Sequence, residues 1–136
     1  PDSKLDDLIA AQAADIIQPD VCVCGGLLEM RKIAAIAEAH YVTIAPHNPM
    51  SPVATAVNVQ FAASTHNFKV LEYINPTGSE WADWVDEPYL PKDGYLELRD
   101  RPGLGIDVNE EVVSKSEYIH WQRTAPVRPD GSTGYI

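Results

Sequence analysis

Cysteine is scarce in this chain of 136 residues, and the two present, Cys22 and Cys24, stand one residue apart. A disulfide across so short a span is strained, and no second cysteine pair exists to complete a zinc site. Reduced, buried thiols acting as small packing residues are expected instead, and they suit a cytoplasmic protein. Long hydrophobic runs are also missing. No stretch of about 18 apolar residues occurs, so no membrane span is expected. The start, Pro1-Asp2-Ser3-Lys4, has neither a Met nor the basic, apolar and small-residue regions of a signal peptide. The chain therefore reads as the tail of something longer. Basic residues are few: 10 Lys and Arg face 20 Asp and Glu, a net charge of −10. That balance argues against nucleic acid and against an anionic membrane surface, both of which need a basic face. Two catalytic devices are absent as well. There is no G-x-S-x-G nucleophile elbow, and Gly103-Leu104-Gly105-Ile106 lacks the third glycine of a phosphate loop and follows Pro102 rather than a strand.

What is present is an alternation of helical and extended patterns. Leu5, Leu8 and Ile9 recur at helical spacing and predict a helix over 5–14. A short β-branched run over 14–18 follows, ending at Pro19-Asp20. Gly25-Gly26 breaks the chain, and residues 28–40 read as an amphipathic helix with Met30, Ile33 and Ala37 on one side. Residues 41–45 form a second strand, ended by Pro46-His47-Asn48-Pro49. Pro52 after Ser51 opens a helix over 52–63. A third strand covers 68–71 and meets Glu72. Strands about 25 residues apart with helices between them imply parallel strands joined by right-handed crossovers, in either a doubly wound sheet or a (β/α)8 barrel. Three such strands cannot close a barrel and would leave an open edge. Beyond residue 73 the character changes to a proline-punctuated stretch holding Trp81, Trp84 and Trp121. It predicts a short strand over 94–98 and a short helix within 108–118, capped by Asn109. The expected division is a part built of βα units over 1–73 and an irregular extension over 74–136.

Asp20, His47 and Glu72 stand where the three predicted strands end. Ligands of parallel α/β proteins bind at those ends. Adjacent strands lie about 4.8 Å apart, so side chains at neighbouring tips can touch. Asp20 can accept a hydrogen bond from one imidazole nitrogen of His47, fixing the tautomer and leaving the other nitrogen to act as a base. Glu72 faces the same space and can bond a substrate hydroxyl or a developing enolate oxygen. His40, His66 and His120 read as structural or surface residues. The acidic residues at 80, 83, 86 and 87 read as a solvated, charged loop.

These residues resemble the mandelate racemase branch of the enolase superfamily, and especially its acid-sugar dehydratases. The likeness rests on Ile16-Ile17-Gln18-Pro19-Asp20, Gly25-Gly26-Leu27, Arg31-Lys32-Ile33-Ala34, Ala45-Pro46-His47, Val70-Leu71-Glu72 and Arg101-Pro102-Gly103-Leu104-Gly105-Ile106. Residues 121–132 add a similar tail. The resemblance implies the C-terminal portion of a (β/α)8 barrel, about its last three βα units, plus an irregular extension packed on the capping domain. It implies a His47–Asp20 dyad that removes the proton α to a carboxylate, with Glu72 holding the carboxylate or enediolate. Gln18 and Ser51 fall where relatives contact substrate. Mg²⁺ is implied as cofactor, with no metal ligand in this chain, because the family's ligands come from strands three, four and five. The second acid/base also lies outside. The implied reaction is dehydration of an aldonate or aldarate to a 2-keto-3-deoxy acid. A cycloisomerase acting on a sugar-acid lactone or anhydro sugar acid is the alternative within the superfamily. A piece inactive without a partner segment is the alternative of another class. The implied partners are a small sugar acid and further copies of the full-length enzyme in a homo-oligomer. Asn48, directly after the histidine, departs from the galactonate dehydratase pattern.

Overall fold

The structure, a computed structural model, describes residues 3–118 and 128–131. Its first half runs α1 (Ser3–Ala10), β1 (Ile16–Ile17), α2 (Leu27–Ala39), β2 (Thr43–Ile44) and α3 (Pro52–Ala63). β1 and β2 pair in parallel, with Ile16 opposite Thr43 and Ile17 opposite Ile44. The hydrogen-bond ladder outruns these short strands. The N–H groups of Thr43, Ala45 and His47 donate to the carbonyls of Asp15, Ile17 and Pro19 at 3.1, 3.0 and 3.1 Å. On the other side of β2, Ile44 N–H donates to Asn67 O and Lys69 N–H donates to Ile44 O, both at 2.8 Å, with Phe68 bridging Ile44. The middle strand is thus held on both edges.

Successive side chains alternate across a strand. Ile17 and Ile44 point into a core with Ile9, Met30, Ile33, Ala37, Val42 and Phe61. Met30, Ile33, Ala34 and Ala37 supply one buried stripe of α2 at spacings of three and four residues. Fully burying a side chain such as Ile44 or Phe61 contributes about 1.5–3 kcal/mol. A ladder hydrogen bond contributes about 0.5–1.5 kcal/mol net. Helix packing therefore does more than the short ladder to hold the strands. Among the described residues no helix covers the opposite strand face, where Ile16 and Gln18 are exposed.

Residues 74–118 pack back on α3. Ala56 and Val59 of that helix form a second cluster with Tyr89, joined by Leu71, Leu96, Leu104 and Ile106. Cover on both sides explains why α3 is buried nearly all round. Arg99 organises the extension. Its guanidinium lies 4.2 Å from the Tyr89 ring centroid and donates to the carbonyls of Glu87, Pro88 and Gly105. Gly105 has φ 72°, and a Cβ there would sit 2.7 Å from the Tyr89 hydroxyl. The Pro-Gly-Leu-Gly segment is therefore a packing device. A 3₁₀ turn, Ala82–Trp84, and α4, Glu110–Lys115, complete the described elements. Asn109 caps α4, its side chain accepting from Val112 N–H.

Several expectations need correction. The strand over 94–98 is absent. Asp93 and Gly94 adopt positive φ in a tight turn that pairs Lys92 with Tyr95, and among the described residues no further bridge extends that pair. Cys22 is exposed on a turn after β1, and Cys24 is half-buried, so the thiols do not share a buried strand face. The acidic loop is not merely solvated: Asp86 and Glu87 pair with Arg101, as does Asp107. The first helix ends at Ala10, short of the expected 14. Trp81 and Trp84 do pack together, with centroids 6.4 Å apart. Trp121, His120 and most of the tail motif lie outside the described residues.

Two outcomes are expected. Residues 1–136 expressed alone should melt broadly and bind a hydrophobic dye, because Ile16 and Val70 are exposed. A sharp, concentration-independent transition of a monomer would show that the open strand face needs no cover. The second concerns acid. The Asp107 backbone N–H and then the Arg101 guanidinium hold the Asp86 carboxyl below the usual carboxylate range. A carboxyl lowered on folding contributes stability above its unfolded value and loses it as pH falls through the folded one. Hydrogen-exchange protection over 86–107, corrected for the intrinsic pH dependence of exchange, should therefore fall on acidification before protection in the core does. High salt should act in the same direction, and Asp86→Asn should remove the acid step.

Candidate active site

The β1–β2 register builds the site. Ile17 lies opposite Ile44, an offset of 27, and the same offset carries Asp20 to His47. The His47 N–H bond to Pro19 O extends that register to the strand tips. Asp20 is 8% exposed, and its two oxygens are divided. Oδ1 accepts from the Cys22 backbone N–H at 2.7 Å, and Oδ2 lies 2.8 Å from His47 Nδ1. A carboxylate only accepts, so Nδ1 donates and the neutral ring keeps its lone pair on Nε2. That nitrogen lies 3.9 Å from Glu72 Oε2. The structure thus brings Asp20, His47 and Glu72 together, the half-exposed imidazole between two carboxylates.

Gln18 is exposed, on the same strand face as Asp20 by alternation. Ser51 has a structural duty: it is the N-cap of α3, its Oγ accepting from Ala54 N–H at 3.1 Å. Neither cysteine is poised as a nucleophile. Desolvation and then the Asp20 carboxylate push the Cys22 thiol up, and burial raises Cys24. His40 ends α2 and His66 is exposed near Glu38.

Sequence reasoning missed a buried amide network behind the site. Asn48 Nδ2 donates to Thr55 Oγ1 and to Glu72 O, each at 3.0 Å, and Asn48 Oδ1 accepts from Asn58 Nδ2 at 3.0 Å. Asn58 is fully buried, and among the described residues its Oδ1 has no hydrogen-bond partner. Such an orphan costs about 1–3 kcal/mol. The signal was available: Thr55 and Asn58 are polar residues about one turn apart in a mostly apolar helix, just after the Pro46-His47-Asn48-Pro49 segment.

Among the described residues no group of three or more His, Cys, Asp or Glu is arranged to hold a metal ion. Asp20 is committed to His47 and to a backbone donor, so these residues do not form a Mg²⁺ site. Among them, too, no helix is long and apolar enough to cross a membrane.

Parallel βα units with a His–Asp pair at the strand tips define a segment of a (β/α)8 barrel. Residues 3–112 match the model of the enolase C-terminal domain-like family, and the chain belongs to that family. It is 40% identical over 106 residues to D-xylonate dehydratase of Haloferax volcanii, covering 78% of this chain and 26% of that protein. Over 126 residues it is 36% identical to D-galactonate dehydratase of Pectobacterium atrosepticum, covering 86% and 33%. Among solved structures, an enolase from Agrobacterium radiobacter, a candidate galactarate dehydratase with sodium and L-malate bound, superposes with a TM-score of 0.86 at 51% identity, covering 96% of this chain and 37% of that one. An enolase from Pantoea ananatis with bound D-gluconate and magnesium gives a TM-score of 0.72 at 32% identity, covering 80% and 26%. The chain thus spans between 26% and 37% of the length of these relatives.

The capping role of Ser51 can be separated from contact with a ligand. Ser51→Ala should lower stability by about 1 kcal/mol, and Ser51→Asp should restore it as an alternative cap. Thermal melts check this, and an unchanged Tm for Ser51→Ala would remove the cap from the account.

Proposed function

We propose that this chain supplies the base-bearing part of a sugar-acid dehydratase, converting an aldonate or aldarate to a 2-keto-3-deoxy acid. The observation that carries the reading is the Asp20–His47 hydrogen bond of 2.8 Å, which leaves Nε2 free at the strand tips of an enolase-family chain. His47 Nε2 takes the proton α to the substrate carboxylate. The C–H electron pair moves into the C–C bond and onto the carboxylate, giving an enediolate. Collapse of the enediolate expels the β-hydroxyl, which leaves as water on gaining a proton. Asp20 holds the ring orientation and offsets the positive charge that the imidazole acquires. Glu72 contacts the carboxylate end of the substrate, a contact that needs a proton on one of the two carboxyl groups because an ionised carboxylate only accepts, and Gln18 and Ser51 contact its chain.

The proposal extends beyond this chain. A divalent cation, Mg²⁺, would be held by residues outside residues 1–136 and would stabilise negative charge on the substrate carboxylate. The solved relative with D-gluconate and magnesium supports that class of ligand and cation. Residues 74–136 form an extension that packs on the capping domain of a longer, homo-oligomeric, cytoplasmic enzyme. Residues 1–136 alone are inactive.

Exchange of the substrate α-proton in deuterated water tests the base. D-galactonate, D-gluconate, D-xylonate and galactarate are the substrates to offer the complete protein. His47→Asn should reduce exchange to background. Asp20→Asn should leave it slower by roughly 10²- to 10⁴-fold, because the imidazole remains but loses its orienting partner. Wild-type exchange in His47→Asn would remove the base from this account. Product mass separates the reactions: loss of water supports a dehydratase, and an unchanged mass with a new ring supports a cycloisomerase.

A further inference from the structure

Glu72 is not in register with His47. The bridge between Ile44 and Phe68 has an offset of 24, and the same offset carries position 48 to position 72. Glu72 therefore stands opposite Asn48, and Asn48 grips it twice. The Asn48 backbone N–H donates to Glu72 Oε2 at 2.9 Å, and its Nδ2 donates to the Glu72 main-chain carbonyl at 3.0 Å. Asn48 is held in turn by Thr55 Oγ1 and Asn58 Nδ2 on α3. It is 3% exposed, too deep for a residue that meets substrate freely. Asn58 keeps a buried, unpartnered oxygen while supplying this contact. An apolar residue there would avoid that cost but leave Asn48 Oδ1 without its amide donor.

We infer that Asn48 is a positioning residue that sets the Glu72 carboxylate beside His47 Nε2, through a network anchored on α3. The inference rests on the proposed roles of His47 and Glu72. With Oε2 bound to the Asn48 N–H, Oε1 is the oxygen left for a ligand. The carboxamide suits the task because it donates to a carbonyl and a hydroxyl while accepting from a second amide. Aspartate would keep the shape but lose the donors and set a second carboxylate against Glu72.

The test is a double-mutant cycle in the complete protein, read by kcat and KM for α-proton exchange on whichever of the four sugar acids it turns over. Asn48→Ala should lower kcat by about 10- to 100-fold and change KM by less than about 3-fold, since a misplaced group is felt mainly in the transition state. In a Glu72→Gln background the same substitution should change kcat by no more than about 2-fold, the signature of two residues acting as one unit. Thr55→Val, a milder change that removes one acceptor of Asn48, should lower kcat by about 3- to 10-fold with the same dependence on Glu72. Should Asn48→Ala fail to fold in a thermal melt, the Thr55→Val cycle decides. Losses that simply multiply in the double variants overturn the inference, because they place Asn48 in general stability. Wild-type kcat for Glu72→Gln alone would instead overturn the proposed role of Glu72, and the inference with it.

Discussion

The parallel register of β1 on β2 is the constraint on which the site depends. Ile17 opposite Ile44 fixes an offset of 27, and only that offset places the Asp20 carboxylate within 2.8 Å of His47 Nδ1. A slip of one residue would turn Ile17 or Ile44 out of the core and the tip side chain to the other face. The packing that buries these isoleucines against α2 therefore also aligns the dyad. Stability and geometry come from one contact set, Ile17 and Ile44 with Met30, Ile33 and Phe61.

The two ladders on β2 have different offsets, 27 toward β1 and 24 toward the segment beginning at Phe68. Backbone pairing alone thus brings Asp20 to His47 and brings Glu72 to Asn48. The second carboxylate, that of Glu72, reaches the imidazole only sideways, at 3.9 Å. A network of Asn48, Thr55 and Asn58 fills the gap that register leaves, at the cost of a buried oxygen without a partner.

Much of this was legible in the sequence because it is periodic. Met30, Ile33 and Ala37 mark the buried stripe of α2, and Ser51-Pro52 marks the start of α3 within one residue. Asp20, His47 and Glu72 were found because each follows an apolar run that a proline or a change of residue type ends. Tertiary contacts were not legible. Cys22 looked buried, but the Asp20 carbonyl closes a turn on Val23 and Cys24 and carries Cys22 outward. Residues 94–98 looked extended, but among the described residues the pairing stops at the single Lys92–Tyr95 bridge across the turn. Nothing in the sequence marked Arg99, whose fixed fork of donors satisfies three carbonyls of the extension.

The face opposite the core connects these observations. Ile16, Gln18 and the half-exposed imidazole of His47 lie on the side of the strands that no described helix covers. In a closed barrel that side is the interior, filled by side chains from other strands. A proton-abstracting imidazole works best where water is excluded and fixed dipoles replace it. The exposure that leaves the strand face apolar and open is thus the same exposure that leaves the dyad wet. Covering Ile16 and drying His47 are a single structural event, so folding of the open face and assembly of a competent site are coupled. Residues 1–136 hold the proposed base and its orienting groups, and the dry environment such a base needs is one that groups packed against the open strand face would supply.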